Sequence, residues 1–387
     1  MDAPEEYRDR EQTFFKHQVL SHYLRAWTQK LASVSRGGRT VRLWYVDCFA
    51  GPWQSQTDEQ ADTSVAIGLG ALEEALERWK GSAGEVQAGA IFVEASGGSA
   101  RRLRDFVRAR PNRGVSPHVL EGEFADKVPE IQKIVGTDPA FVFVDPTGWK
   151  GAGMGHIAPL VAGRYRDVIV NVMFHHINRW KYDQREFLRG QMREFFGLIE
   201  SDLPADLDER GLRALYRRQL ADRTNVPHVA DLAIPHPIKD QTFFRLVVGG
   251  HHPEVLRLFR DIEEKVVGRE AGAVRARAKA RASEERTGQL QFDIVPSMDV
   301  RYRKMRDADV RHAVDVLQRR LEADGPASFG NIWPVLLGDY HITRKHLADA
   351  VAELRRTGKL LVTGMVPGDR TIKDYHLVHL NRASTNP

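Results

Sequence analysis

The feature that most constrains this chain is the run Val41–Trp53, VRLWYVDCFAGPW. Apolar residues, several of them β-branched or aromatic, run almost unbroken from Val41 to Val46. Asp47 ends the run and a tight Ala50-Gly51-Pro52 turn follows. Such a pattern predicts a parallel strand buried on both faces, its carboxyl end opening into a ligand crevice. Gly51 lets the backbone approach a ligand closely, and Asp47 sets a carboxylate at the rim. Two later runs end alike: Ala90–Glu94 at Glu94, and Phe141–Gly148 (FVFVDPTG) at Asp145. Three strand-then-acid endings separated by helical stretches predict an α/β fold with a doubly wound, mostly parallel, Rossmann-like sheet. Its site should lie on one edge.

The remaining elements fall into place around these strands. Gln12–Ser33 reads as a helix, with Phe14, Phe15, Val19, Leu20, Tyr23, Leu24, Trp27 and Leu31 near the 3.6 period. Ala61–Lys80 is a second helix, with hydroxyl caps at Thr63-Ser64. A third follows Glu94 over Ser96–Arg108. His118–Leu120 is a short strand leading through Glu121-Gly122-Glu123-Phe124 into a helix at Ala125–Val135. Arg166–His175 is the fifth strand. Asp183–Ile234 turns helical through Phe187, Met192, Phe195, Phe196, Leu212, Leu215 and Leu220, and is expected to be an inserted cap. Thr242–Val248 is a late strand and Pro253–Val267 a closing helix.

Gly268–Gln291 is rich in alanine and arginine and reads as a linker or solvated helix, with Arg275, Arg277, Lys279 and Arg281 facing water or phosphates. Beyond it, Val310–Leu321, Phe329–Leu337 and Thr343–Thr357 read as three helices. The strands Lys359–Met365 and Thr371–Leu380 follow, joined by a Pro367-Gly368-Asp369 turn. This is the plan of a winged helix-turn-helix. Arg344, Lys345 and His346 at the start of its third helix suit major-groove entry, and Arg370 and Lys373 suit phosphates beside the wing. A winged helix used for protein contacts is the open alternative. The expected division is an α/β domain over 1–267 with its insertion at about 183–234, a basic linker over 268–300, and the winged helix over 301–387.

Charge supports a polyanion partner for the tail. The net charge of the 387 residues is +5, and residues 301–387 hold 15 Lys and Arg against 10 Asp and Glu, so the preceding body is close to neutral. Cys48 is the one cysteine, which excludes a disulfide within the chain and cysteine-rich zinc sites. It also fits a reducing, cytoplasmic setting. The polar, charged N-terminus does not read as a signal peptide, and no apolar run is long enough to suggest a membrane span. The adjacent pairs His175-His176 and His251-His252 point to opposite faces if extended, so no metal site is expected.

Several motifs together resemble the three-Cys-motif partner protein (TcmP) family: Tyr45–Pro52 (YVDCFAGP), Lys16-His17 followed by His22-Tyr23-Leu24, Phe143–Gly148 (FVDPTG) and Phe244–Pro253 (FRLVVGGHHP). The resemblance runs from about Gln12 to Ile262. It implies a core of the class I S-adenosylmethionine (SAM) methyltransferase type and a partner of radical-SAM-like character bearing three cysteines. It also gives the lysine-histidine pair a place by the cofactor. On this resemblance the cofactor-binding candidates are Lys16, His17, Asp47, Phe49, Gly51, Glu94, Glu123 and Phe124. Glu94 is expected on the ribose hydroxyls, and Glu123 and Phe124 beside the adenine. Asp145, Pro146 and Trp149 are the catalytic candidates, Asp145 as acceptor for an exocyclic amine and Trp149 as a stacking surface for an extruded base.

Departures from the pattern keep a second reading open. Trp53 stands where the family more often has glycine, and Thr147-Gly148 replace the Pro-Tyr of amino-methyltransferases acting on DNA. No Pro-Cys nucleophile is present, which argues against cytosine C5 methylation. The expected function is therefore SAM-dependent methyl transfer to nucleic acid, DNA first. The alternative is a non-catalytic nucleic-acid-binding adaptor for a radical-SAM-type repair or modification enzyme. A dinucleotide dehydrogenase lacks the G-x-G-x-x-G turn and ranks behind both.

Overall fold

A computed structural model describes residues 3–4, 7–51, 62–111, 113–198, 203–204, 206–287, 297–366, 369 and 371–381. Where the apolar run predicts a strand, β1 (Val41–Asp47) forms, buried at every position except Arg42. β1 pairs in parallel with β2 (Val86–Glu94) on one side and β4 (Ala140–Val144) on the other. β3 (Val115–Glu121) extends the sheet beyond β2, and β5 (Arg166–Val172) beyond β4, both in parallel. β7 (Thr242–Gly250) then pairs antiparallel with β5, and β6 (His228–Pro235) antiparallel with β7. The seven-stranded order is β3-β2-β1-β4-β5-β7-β6.

Helices connect the parallel strands, as crossover chirality requires. They are α2 (Ser64–Arg78), α3 (Gly97–Ala109), α4 (Phe124–Val135) and α5 (Met154–Val161), while α1 (Glu11–Ala32) precedes β1. After β5 come α6 (Phe174–Trp180), α7 (Glu186–Phe196) and α8 (Glu209–Thr224). α1 buries Phe14, Phe15, Val19, Leu20, Tyr23, Leu24 and Trp27, the stripe its periodicity predicts. Trp44, Val46, Ile91, Val142 and Val170 build the core on one face of the sheet, against Phe195, Phe196 and Tyr216. On the other face the Tyr45 ring enters α2 at Gly68, where a Cβ would lie 2.2 Å from the ring. A glycine inside a helix costs about 1 kcal/mol against alanine. Here it admits a buried tyrosine.

Three expectations are corrected. The fifth strand ends at Val172 rather than His175, and α6 begins at Phe174. The helical insertion ends at Thr224, because the last part of the 183–234 stretch is β6. Asp231 interrupts its apolar run and hides the strand. The carboxylate is buried because Arg245 Nη1 donates to it at 2.7 Å, with Arg217 and Arg213 at 3.6 and 3.8 Å. The third concerns the stretch read as a linker or solvated helix: its described part is helical, as α10 (Ala271–Thr287), but not solvated throughout, since Arg275 is buried.

The chain divides into two units, Met1–Val255 with Val274–Asp293, and Leu256–Ala273 with Ile294–Pro387. One of the boundaries, Ala273/Val274, thus falls inside α10. In the first unit Arg275 is buried and donates to His236 O at 3.0 Å and Asp240 Oδ1 at 2.8 Å. Lys279 reaches the same Asp240 at 3.0 Å, and Arg281 pairs with Glu11. These cations clamp α10 to the sheet domain and are not presented to solvent as a row.

In the second unit α9 (Glu254–Glu263) runs into a π-helical stretch, Glu264–Glu270. α11 (Val300–Asp324), the two-residue β8 (Ala327–Ser328), α12 (Phe329–Asp339) and α13 (Arg344–Arg356) follow. β9 (Leu360–Thr363) and β10 (Leu377–Leu380) complete a three-stranded antiparallel sheet of order β8-β10-β9. The unit is pinned by a buried cluster. Arg260 donates to Glu263 at 2.6 Å and to Leu337 O at 2.9 Å, and His341 Nδ1 lies 2.7 Å from the other Glu263 oxygen. Among the described residues no helix is long and apolar enough to cross a membrane.

Candidate functional site

The register of the sheet brings the predicted acids to one edge. Asp47 is level with Phe92 and Phe143, Glu94 with Glu121, and Val144 with Val170. Glu94 and Asp145 therefore project just past Asp47 on either side, at the carboxyl ends of adjacent parallel strands. This edge is where α/β sheets hold ligands.

Asp47 is fully buried and braces the turn from inside. Ser64 Oγ donates to Oδ2 at 2.6 Å, Tyr45 OH to the same oxygen at 3.2 Å, and the Phe49 amide to Oδ1 at 3.2 Å. Burial pushes its carboxyl up to about 6, and the nearby Asp145 charge adds to the shift. The expectation of an open cofactor contact at Asp47 is corrected: its acceptors serve the protein's own donors. The neighbouring Cys48 thiol is buried and pushed well above its ordinary value by burial and by Asp47, so it is no nucleophile at neutral pH.

Gly51 and Glu94 meet. A Cβ on Gly51 would lie 1.5 Å from Glu94 Oε2, so nothing larger than glycine fits between the turn and this carboxylate. Glu94 Oε1 accepts from the Ser96 amide at 2.7 Å, which orients the side chain from the start of α3. The apolar flank of the turn is a Phe49–Phe124 pair, ring centroids 5.4 Å apart, with Phe124 buried and Phe49 resting on the core. Glu123 is exposed at the N-cap of α4 and makes no side-chain cap bond. Trp53 and Pro52 lie outside the described residues.

Asp145 is held from two sides. Lys16 Nζ from α1 donates to Oδ2 at 2.5 Å, and Asn171 Nδ2 from β5 donates to Oδ1 at 2.7 Å. The strand register explains the second bond, since Val144 pairs with Val170 and the next residues of each strand lie side by side. Asn171 is 1% exposed, and its Oδ1 has no hydrogen-bond partner among the described residues. A buried acceptor left unpaired costs about 1–3 kcal/mol. Sequence reading missed Asn171. Its signal was a lone amide in an otherwise apolar strand, VIVNV.

The other candidates are placed less openly. His17 is buried with Nδ1 3.0 Å from Tyr7 OH; burial and then Lys16 push it down to about 3, so it is a neutral packing histidine, not a cofactor contact. Pro146 is buried, and Trp149 is half-buried against the core, anchoring the loop rather than offering a face for stacking. In the second unit His346 closes a capping box on α13. Thr343 Oγ1 accepts from the His346 amide at 3.2 Å, while His346 Nδ1 accepts from the Thr343 amide at 3.2 Å. His346, expected with Arg344 and Lys345 to suit major-groove entry, is half-buried and its Nδ1 is taken up by this cap. Arg344 pairs with Asp374 at 2.7 Å, Lys345 with Asp349 at 2.6 Å and Lys373 with Asp369 at 2.6 Å. Lys345 keeps a side chain 80% exposed. Arg370 lies outside the described residues.

No family model matches the chain, and no curated protein matches it. Among solved structures, a Legionella pneumophila protein of family DUF519 is 10% identical, spanning 64% of this chain and 91% of that one, with a TM-score of 0.33. A SAM-dependent methyltransferase from Anabaena variabilis is 10% identical over 54% and 77%, TM-score 0.25. Loganic acid methyltransferase with SAH is 11% identical over 69% and 86%, TM-score 0.26. The fold is methyltransferase-like. That statement rests on the strand order, with its antiparallel seventh strand inserted between the fifth and sixth. The overlays, at such scores, add nothing to it.

The residues present fit an adenosine-bearing sulfonium at this edge. Gly51 brings the turn against the Glu94 carboxylate at the end of the second strand, and Phe49 with Phe124 supplies an apolar flank.

Proposed function

We propose that this protein is a SAM-dependent methyltransferase that acts on nucleic acid, DNA first, in the cytoplasm and beside a three-cysteine radical-SAM-like partner. The carrying observation is the Asp145–Asn171 pair at the same strand edge as the Gly51–Glu94 contact. SAM supplies an activated methyl group when bound. The chain's own residues then have two tasks. Gly51, Glu94, Phe49 and Phe124 hold the cofactor, and Asp145 with Asn171 holds the acceptor.

An exocyclic amine offers N–H groups, and the acceptor for one of them is the partly exposed Asp145 carboxylate, which buried Asn171 orients from β5. A carboxylate oxygen keeps lone-pair capacity after accepting one bond. As the amine nitrogen takes a methyl group it gains positive charge, which Asp145 stabilises. Lys16 fixes the Asp145 rotamer, and at the same time offsets part of that field. The C-terminal unit, with its helices α11 to α13 and the β9–β10 pair, is read as a winged helix on duplex DNA, with Lys345 an exposed cation at the start of α13.

One observation favours the second reading, the non-catalytic adaptor. Lys16 already neutralises Asp145, and Thr147-Gly148 stand where an amine-clamping pair would be. The two are separated by methyl transfer from tritiated SAM to plasmid DNA, denatured DNA and RNA, with and without the three-cysteine partner. Label in nucleic acid that falls at least tenfold in Asn171→Ala supports the enzyme. No label on any substrate in either condition supports the adaptor.

A further inference from the structure

The segment that leaves β5 carries a pattern that the core does not use. Residues 179–189, RWKYDQREFLR, hold four cations against two acids and three aromatic rings. Phe187 has the spacing of a core residue, yet its side chain is 59% exposed, and Tyr182 is 62% exposed. Trp180 is half-buried on the core and anchors the segment. Each ring lies under a cation: Lys181 Nζ is 5.0 Å from the Tyr182 centroid, and Arg185 is 5.4 Å from Phe187 and 5.6 Å from Trp180. Arg179 lies 5.3 Å from Trp180. Asp183 pairs with Arg185 at 2.7 Å and holds it in place between the two rings.

This surface is tied to the candidate site. Further along α7, Glu194 Oε1 meets His156 Nε2 at 2.9 Å, and a Cβ on Gly153 would lie 2.6 Å from Glu194 Cγ. The helix that carries Phe187 in its first turn is thus packed on the loop that leaves Asp145.

We propose that Tyr182 and Phe187 form a stacking platform for the unpaired bases of a single nucleic-acid strand, with Lys181 and Arg185 beside its phosphates. Exposed rings, each under a cation, match a ligand that offers flat π faces and negative charge together. A nucleotide chain does so. A duplex hides its base faces in its own stack, so the platform selects unpaired strands. The inference rests on the nucleic-acid reading above and names the form of substrate taken at that site.

The test uses the full-length protein, fluorescence anisotropy with a labelled mixed-sequence single-stranded DNA, and the same strand as duplex. Tyr182→Ala/Phe187→Ala weakens single-strand binding by about tenfold or more and leaves duplex binding as in the native protein. Tyr182→Phe/Phe187→Tyr keeps single-strand affinity within about twofold, since the π faces remain. Equal single-strand affinity in native protein and alanine variant overturns the platform, as does a native protein that binds no single strand. So does an alanine variant that keeps the strand but loses the three-cysteine partner, which assigns the rings to a protein. SAM titration on the same samples separates the two layers. Loss of strand binding in the variant with no SAM binding by the native protein keeps the platform and removes the methyltransferase.

Discussion

Asp47 is a charge placed where water cannot reach it, which makes its ionisation a property of the fold. Its ordinary value is 3.8 and burial pushes it up to about 6. A carboxyl raised by folding favours the folded state while protonated. That contribution is complete below about pH 4 and is lost as pH rises through about 6. Ser64→Ala removes the shortest of the three donors, and a bond to a charged acceptor is the stronger kind. The variant is expected to lose about 1 kcal/mol at pH 5 and about 2 kcal/mol at pH 7.5, read from urea denaturation at both pH values. An equal loss at the two would mean that Asp47 does not titrate in between. Tyr216 shows the opposite case, since its buried hydroxyl has no partner among the described residues. Tyr216→Phe is expected to stabilise the protein by about 1 kcal/mol, a rise of a few degrees in Tm by calorimetry.

At the scale of elements, legibility followed the contrast between apolar runs and the acids that end them. β1, β2 and β4 announced themselves because a strand buried on both faces must be continuously apolar, and an acid can follow only where the sheet meets water. β6 was hidden because Asp231 belongs to a buried cluster, and a sequence does not say that three distant arginines will converge on it. Removing Arg245 takes the shortest partner from this buried carboxylate and leaves it the longer contacts to Arg217 and Arg213. Arg245→Met is expected to cost about 3–5 kcal/mol, while Arg245→Met with Asp231→Leu recovers most of it. Denaturant midpoints of the two variants compare them. The candidate site was legible in part for the same reason. Glu94, Gly51 and Asp145 followed from strand endings, but Asn171 depended on the β4–β5 register. Neither His17's burial nor Trp149's anchoring role is written in local sequence.

At the scale of the whole molecule, the Ala/Arg-rich stretch shows how charge misleads when read without partners. Arg275 looks like a solvated cation in sequence and is buried, bonded to a backbone carbonyl and to Asp240. The basic balance of residues 301–387 is likewise softened by the pairs at Arg344, Lys345 and Lys373. Within the C-terminal unit, Arg260 and Glu263 form a fully buried pair, and Arg260→Met strands Glu263 beside His341 alone. That variant is expected to lose about 3 kcal/mol or more, seen as an earlier loss of α-helical circular dichroism on heating.

The central claim is that the edge formed by Gly51, Glu94, Phe49 and Phe124 holds SAM. Isothermal titration of the native protein and Gly51→Ala with SAM tests it most directly, because the added methyl would enter the Glu94 contact while the rest of the turn is kept. Single-site binding by the native protein, weakened by about a hundredfold or more in the variant, is the predicted result. No binding of SAM at millimolar concentration, or equal affinity in the two proteins, would contradict it.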